Sequence, residues 1–380
     1  MRFVISGGGT GGHITPGLAV AAALHRRPGT ELLWIGTAGR READLVPRAG
    51  IPFQAIPGKS FKRGMSPRAL VWNLLAVLAV SLGMLKSLRL LRRFRPHAVI
   101  GTGGYVCFPI VMAAKLLGLP AIICEQNSLP GLTVRVLSRF VDAVAVSYSS
   151  TRDLLPAARR IAHTGNPVAA ELSTLRQDQA RIDLELPADR LVVLVLGGSL
   201  GSVALNRVVS SAVATDRWRK DLARRWFIVH GTGQSKYAAV QAATGDAPSY
   251  QAMPYIYENF KALAAADAVI SRAGATTIAE ITTRGLPALL VPWPGAAHDH
   301  QTHNARLLDH EGAARCVSED AFTPDSLLDF LAEMTDSRQR ARMAGKARAM
   351  SIPDAVERII SLIDEVRARR GQKEDAHHEQ

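Results

Sequence analysis

The sequence predicts an α/β protein built from two doubly wound, Rossmann-like parallel-sheet domains. Three observations predict it. Short, uninterrupted apolar runs alternate with helical stretches along the chain, the pattern of strands covered on both faces. Two glycine-rich loops, Ser6-Gly7-Gly8-Gly9-Thr10-Gly11-Gly12-His13 and Gly197-Gly198-Ser199-Leu200-Gly201, each close an apolar run and open a helical stretch. The alternation pauses once, at Thr164-Gly165-Asn166-Pro167-Val168, and then restarts; such a segment makes an interdomain turn. A chain of 380 residues is long enough for two separate cores. Glycines at the two loops let a ligand approach the backbone, and a helix start there suits phosphate. The pair suggests nucleotide-type domains facing one central cleft.

Taken in order, strands are expected at 2–6, 31–36, 97–101, 120–124, 142–147 and 160–163, with helical stretches such as 16–26 and 131–139 between them. After the turn they are expected near 191–196, 226–231, 249–252, 267–271, 287–292 and 313–317. The domains read as 1–165 and 166–352, followed by a helix at 353–370 and a polar, disordered tail at 371–380 in which His377 and His378 are solvated. Residues 69–85 carry no charge but are flanked by Lys59, Lys62, Arg63 and Arg68 before and Lys86, Arg89, Arg92, Arg93 and Arg95 after. The stretch is at the short limit for a membrane span and contains Asn73, Ser81 and Gly83. Leucines at helical spacing also fit a core-facing helix. The reading is mixed: part packs in the first domain, and part forms an apolar and basic patch resting on an anionic leaflet.

Lys and Arg number 46 against 33 Asp and Glu, a net charge of +13. Such a balance points to an anionic partner: nucleic acid, a phosphorylated substrate or an acidic membrane surface. Aromatic residues are only 6% and much of the basic charge lies beside the apolar stretch, which argues against a nucleic-acid binder that needs stacking platforms or a basic groove. Cys107, Cys124 and Cys316 are scattered, with neither metal-ligand spacing nor a disulfide framework, so a reducing cytoplasm is expected. Met1-Arg2 lead directly into a strand, so no signal peptide is expected.

Gly7, Gly9 and Gly12 spell G-x-G-x-x-G, on its own a weak dinucleotide fingerprint. The acid that would hold a nicotinamide ribose is missing from the strand end Trp34-Ile35-Gly36-Thr37, although Arg40 and Arg41 offer a place for a 2′-phosphate. His13 follows the glycines at the helix start; it either packs there or serves as a base in the cleft. A third junction runs from Ala268-Val269-Ile270 through Ser271-Arg272-Ala273-Gly274-Ala275-Thr276-Thr277-Ile278-Ala279-Glu280. Its N–H groups and threonine hydroxyls can meet a diphosphate. Glu280 is ordinarily a solvated helix residue, yet a carboxylate also accepts from both hydroxyls of a ribose. The His298-Asp299-His300-x-x-His303 run looks like a metal site, but a resemblance given next accounts for it without metal. No Asp-x-Asp pair occurs, so a metal-clamped sugar-nucleotide site is not supported.

Several motifs together resemble the MurG family, the peripheral-membrane N-acetylglucosaminyltransferases of peptidoglycan synthesis. They are Gly8-Gly9-Thr10-Gly11-Gly12-His13, Gly101-Thr102-Gly103-Gly104-Tyr105, Glu125-Gln126-Asn127, Gly165-Asn166-Pro167-Val168, Gly197-Gly198-Ser199, Arg272-Ala273-Gly274-Ala275 and Asp299-His300-Gln301-x-x-Asn304, spread over essentially the whole chain. The resemblance implies a GT-B glycosyltransferase fold. It implies inverting transfer of N-acetylglucosamine from UDP-N-acetylglucosamine to the 4-hydroxyl of the muramoyl sugar of lipid I, giving lipid II. The enzyme would lie at the cytoplasmic face of the inner membrane, peripherally, on an anionic surface, serving cell-wall growth, cell shape and division. No tightly bound cofactor and no nucleic-acid partner are expected; Mg²⁺ dependence stays open. A GT-B transferase acting on another lipid or a natural product is the second reading.

By the resemblance, Ser199 and the backbone at Ile256 meet the uracil side and Glu280 takes the ribose hydroxyls. Ala275, Thr276 and Thr277, with Ile278 and Ala279 behind them, line the diphosphate. Gln301, with His300 beside it, binds the transferred sugar. Thr10, Gly11, Gly12 and Asn127 lie on the facing domain. His13 is the expected general base, because imidazole titrates near neutral pH. Glu125 is its competitor and Tyr105 a positioning residue on the acceptor side. Two departures stand out. Leu200 replaces a glutamine, and Ala169 an arginine expected near the phosphates, whose charge helix starts, Arg272 or a bound Mg²⁺ would have to replace.

Overall fold

A computed structural model describes residues 1–62, 64, 66–198 and 200–378. The apolar runs of the first half form strands β1 (Arg2–Ser6), β2 (Glu31–Thr37), β3 (Phe53–Ile56), β4 (Ala98–Gly101), β5 (Ala121–Glu125), β6 (Ala143–Val146) and β7 (Ile161–His163). All pair in parallel, in the order β3-β2-β1-β4-β5-β6-β7. Those of the second half form β8 (Leu191–Leu196), β9 (Trp226–Gly231), β10 (Tyr250–Met253), β11 (Ala268–Ser271), β12 (Ala288–Leu290) and β13 (Arg315–Cys316). They too are parallel, in the order β10-β9-β8-β11-β12-β13. The strands read as Val, Ile, Leu and Ala runs because helices cover both sheet faces and no face needs polar residues.

Each sheet reverses its order once, between β1 and β4 and between β8 and β11. In register, Ser6 lies opposite Gly101, and Leu196 opposite Ser271. The loops leaving these paired strand ends are the four glycine- or small-residue motifs singled out above. In open α/β sheets the crevice beyond such a reversal is where ligands bind.

The chain divides into two compact units. One comprises Met1–Val168 and the C-terminal segment from Pro353, the other Ala169–Ile352. In the first unit, one sheet face carries a core with Phe3, Ile14, Leu24 and Trp34, and the other a core with Val4, Ile35, Val99 and Ile110. In the second, Trp218, Trp226, Phe330 and Leu331 share a core with β8, β9 and β11. β3 was not expected: it is a four-residue edge strand between Pro52 and Pro57.

The last helix, Ala355–His378, runs past the expected end at residue 370 into the segment expected to be disordered. Gln372, Lys373, Glu374 and Ala376 are good helix formers and no proline interrupts them. This helix belongs to the first unit. Val356, Ile359, Ile360, Ile363 and Val366 complete the core around Phe3 and Trp34. Ion pairs Arg27 to Asp364 (2.8 Å), Arg370 to Asp142 (3.1 Å) and Arg160 to Glu365 fringe it.

The uncharged stretch forms the centre of a longer helix, Pro67–Phe94. Ser66 caps it by accepting from the Ala69 amide, and Arg95 ends it in the left-handed region at φ 53°. A stripe of Ala69, Ala76, Gly83, Ser87 and Leu91 is buried. Gly83 must be glycine, since a Cβ would stand 2.4 Å from the Pro57 carbonyl oxygen. The opposite face leaves Leu70, Val71, Leu74, Leu75, Val77, Leu78, Leu82 and Leu85 exposed.

Ile359 is fully buried in the first unit. Ile359→Ala should therefore cost about 2–5 kcal/mol, read as a lower urea midpoint of that unit. Val203→Ala, at an exposed helix position, should stay within about 0.5 kcal/mol.

Candidate functional site

In the first unit, the helix Gly11–His25 starts directly after the first glycine loop. Thr10 holds the N-cap position, is exposed, and makes no side-chain cap. Its carbonyl accepts from the amides of His13 and Ile14 (3.2 and 3.3 Å). Gly11 and Gly12 open the first turn, which places His13 one turn in. Thr102, fully buried after β4, donates its hydroxyl to the His13 carbonyl (2.7 Å). Gly7 makes room for it, since a Cβ there would lie 1.9 Å from the Thr102 hydroxyl oxygen. The imidazole lies against Gly103 (φ 103°), where a Cβ would come 2.5 Å from Nδ1. Nδ1 is 3.1 Å from Gln126 Oε1, and Gln126 Nε2 donates to the Thr102 carbonyl (2.9 Å). Three loops, after β1, β4 and β5, thus meet around one histidine.

Two carboxylates organise these loops. Glu42, fully buried, accepts from the Thr37 hydroxyl (2.6 Å), the Thr37 amide (3.3 Å) and the Gly9 amide (3.2 Å). One amide of the first glycine loop is therefore already satisfied by an anion, which disfavours a second anionic group beside it. This answers the dinucleotide fingerprint. An acid does follow β2, but it faces the loop rather than a ribose. Glu125 accepts from the Asn127 amide (2.9 Å), the Asn127 side chain (3.1 Å) and the Gly131 amide (2.8 Å). It is 2% exposed, and burial raises its pKa against the pull of those donors. Its oxygens staple residues 125–131 into shape, and this geometry does not favour it as a competitor to His13. Asn127 is thereby held in place. Tyr105 packs beside Gly9, and its buried hydroxyl has no hydrogen-bond partner among the described residues.

In the second unit, two helices start at the strand-order reversal. Ser202 caps Val203–Ala214 by accepting from the Leu205 amide (3.3 Å). The other, Ala275–Arg284, has Gly274 at its N-cap and no side-chain cap. Nothing lies within 4 Å of where a Gly274 Cβ would be. The first-turn N–H groups of a helix have no intrahelical acceptors, and a start of this kind, at Ala275, Thr276 and Thr277, suits an anion. Ile278 and Ala279 continue the turn; Ile278 is buried into the core and donates its amide to the Gly274 carbonyl (3.0 Å). Glu280 follows on the same helix. The residue is half-buried but its carboxyl group is enclosed, and that desolvation pushes its pKa up to about 7, although Asn259 Nδ2 donates to Oε2 (3.1 Å).

Arg272 is not a free cation for phosphate. It pairs with Glu319, donates to Ser202 Oγ (2.7 Å), and donates to the carbonyls of Val291 and Pro292 (both 3.1 Å). The second glycine loop serves packing as well as approach. A Cβ on Gly201 would lie 1.9 Å from the Thr232 carbonyl oxygen, and one on Gly233 2.3 Å from that of Leu200. Leu200 itself is 70% exposed, and nothing in the structure explains leucine there. Ser199 lies outside the described residues. Ile256 sits after β10 with its side chain against Gly231, at the end of β9. Gln301, near the start of the helix His300–His310, accepts the Trp293 amide at Oε1 (2.9 Å), which turns its NH₂ group away from that contact. His298 and Asp299 precede it in the left-handed region, both at φ 53°. Such strain collects at functional sites.

Asn259 and Gln126 were not expected to act. Asn259 is 21 residues from Glu280 in the chain, and no spacing rule connects them. Gln126 lay inside a quoted motif, but its role depends on a backbone carbonyl that a motif does not display.

Comparison with known proteins fits this geometry. The glycosyltransferase family 28 N-terminal domain matches residues 3–146, and the family 28 C-terminal domain matches 192–359. The chain is 43% identical over 373 residues to the UDP-N-acetylglucosamine–N-acetylmuramyl-(pentapeptide) pyrophosphoryl-undecaprenol N-acetylglucosamine transferase of Desulforudis audaxviator, covering 96% of this chain and 98% of that one. It is 39% identical over 372 residues to the enzyme of the same name from Bacillus licheniformis, covering 97% and 99%. The crystal structure of Acinetobacter baumannii MurG superposes with a TM-score of 0.70 at 32% identity, covering 96% of this chain and 99% of that one. The fold is that of a GT-B glycosyltransferase. The chain belongs to glycosyltransferase family 28 and, within it, to the MurG family of N-acetylglucosamine transferases.

Proposed function

We infer that this chain transfers N-acetylglucosamine from UDP-N-acetylglucosamine to the 4-hydroxyl of the muramoyl sugar of lipid I, with inversion, making lipid II for peptidoglycan. The observation that carries the reading is the helix Ala275–Arg284. Its uncapped start and its half-buried Glu280 stand five residues apart, about 7.5 Å at 1.5 Å per residue. That span suits the diphosphate and the ribose diol of one nucleoside diphosphate. Helix N–H groups supply the phosphate contacts in place of an arginine at position 169, since Arg272 is already neutralised by Glu319. Gln301 offers its NH₂ donors to the transferred sugar, and Ile256 with Ser199 takes the uracil.

The acceptor belongs to the first unit. Inversion is a single displacement. The 4-hydroxyl loses its proton to a base, its oxygen pair forms the bond to the anomeric carbon, and the bond to UDP breaks with its pair staying on phosphate. His13 is the base in this reading. Glu125 shapes the loop that carries Asn127, and Tyr105 places the acceptor through its unsatisfied hydroxyl.

We place the chain peripherally at the cytoplasmic face of the plasma membrane. Its exposed Leu and Val stripe on Pro67–Phe94 is bordered by exposed Lys62, Arg68, Lys86, Arg89 and Arg92. Lys59 and Lys62 hold their ammonium groups 3.7 and 4.0 Å from the centre of the Trp72 ring. Apolar side chains with basic neighbours bind an anionic interface.

His13→Ala should lower kcat by about a hundredfold or more, as loss of a general base does. Intact kcat with a raised acceptor KM would assign His13 to positioning instead.

Glu280 gives a pH-dependent signature. Its raised pKa means that the folded protein holds a proton there that the unfolded chain has released. Stability from this group is thus present at low pH and lost as pH rises through about 7. Glu280→Gln should therefore raise Tm in the alkaline range and leave it unchanged well below neutral. The ribose diol prefers the carboxylate, so UDP affinity of the parent should rise as pH increases through that value. Titration calorimetry of Glu280→Gln should show weaker binding without that slope; an unchanged Kd would remove the ribose assignment.

Leu74→Glu with Leu78→Glu, both at exposed positions, should release the protein from phosphatidylglycerol vesicles in a flotation assay without lowering Tm. Vesicle binding equal to the parent would reject the stripe as the membrane face.

A further inference from the structure

A histidine works as a base only through the ring nitrogen that carries no proton, so something has to choose that nitrogen. We propose that Gln126 is a positioning residue that sets the tautomer of His13, placing the proton on Nδ1 and the lone pair on Nε2. This rests on the reading of His13 as the base.

The Thr102 carbonyl can only accept. Gln126 lies 2.9 Å from it through Nε2, so the amide must present its NH₂ there; the reverse orientation would set two carbonyl oxygens against each other. That fixes Oε1 on the side of His13, 3.1 Å from Nδ1. An amide oxygen is also acceptor-only, so Nδ1 must donate. Neutral imidazole has one N–H, hence Nε2 carries the lone pair. When Nε2 takes the proton of the acceptor hydroxyl, the ring becomes imidazolium and its Nδ1–H still points at an oxygen, which stabilises the new charge.

The surroundings hold this arrangement rigid. Gln126 is 2% exposed. Thr102 grips both ends: its carbonyl orients the amide, and its hydroxyl donates to the His13 backbone carbonyl (2.7 Å). Gly103 has no Cβ to displace the ring. A chain of acceptor-only oxygens thus passes an orientation from the end of β4 to the base.

The test reads the tautomer directly. In ¹⁵N-histidine spectra of the free protein, taken where imidazole is neutral, the His13 signals are identified by their loss in His13→Ala. The parent should show Nδ1 in the pyrrole-type range and Nε2 in the imine-type range; the opposite assignment overturns the proposal without any variant. Gln126→Met keeps the volume and removes the acceptor. It should show exchange between tautomers and lower kcat about tenfold, less than loss of the base itself, with the KM for UDP-N-acetylglucosamine held. An unchanged Gln126→Met spectrum, or a changed one with parental kcat, overturns the role of Gln126. His13→Ala then separates the two failures: if it too keeps its kcat, the base assignment falls; if it does not, only tautomer control does.

Discussion

A parallel sheet delivers all its strands' carboxyl ends to one edge, and a single reversal of strand order there leaves a crevice that no crossover helix covers. Both units of this protein obey that constraint, at β1 with β4 and at β8 with β11. Everything chemical in the chain descends from it. In each unit two loops far apart in sequence emerge side by side, because Ser6 is in register with Gly101 in the first and Leu196 with Ser271 in the second. Helices that begin in those loops necessarily aim their N-termini at the same edge. The fold therefore brings the glycines, His13 and the 275–280 helix to crevices before any ligand contributes.

What distinguishes the loops is which polar groups the protein has already satisfied. Three glutamates make the comparison. Glu42 meets three donor contacts, two from Thr37 and one from Gly9 in the first glycine loop, and Glu125 meets three from its own loop. Both shape the loops around them. Glu280 meets the Asn259 amide alone among the described residues and holds a pKa near 7. An enclosed carboxyl with a single donor is costly in the free protein, and two hydroxyls of a ribose are the kind of group that would relieve it. The helix starts divide in the same way. Ser202 caps one with its side chain, while the other has Gly274 at its N-cap and no side-chain cap.

The sequence made much of this legible, for reasons that can be named. Loop glycines announce themselves because few other residues reach the left-handed backbone, and apolar runs announce buried strands. β3 was hidden because four residues between prolines offer too little pattern. The last helix showed an apolar face, but periodicity says that a face is buried and not against what; its partners are Phe3 and Trp34 near the other end of the chain. Glu42, next to Arg40 and Arg41 in the chain, carries no spacing signal, because only folding brings it under Gly9. Gly201 read as a ligand-facing glycine, yet the atom it accommodates is the carbonyl of Thr232.

The helix Pro67–Phe94 shows how one element can satisfy two environments. Its length and composition would allow it to cross a membrane. A crossing helix must be solvated by lipid around its circumference or by other spanning helices. Here a continuous stripe is committed to protein: Gly83 touches the Pro57 carbonyl and Leu91 is buried in the core beneath β4. Lifting the helix out would open that core and uncover a backbone contact. Leaving it in place keeps a row of leucines and valines facing outward, with cations at its margins. Such anchoring is what the proposed peripheral placement requires of the helix. It also ties this exposed apolar surface to the same sheet that positions His13.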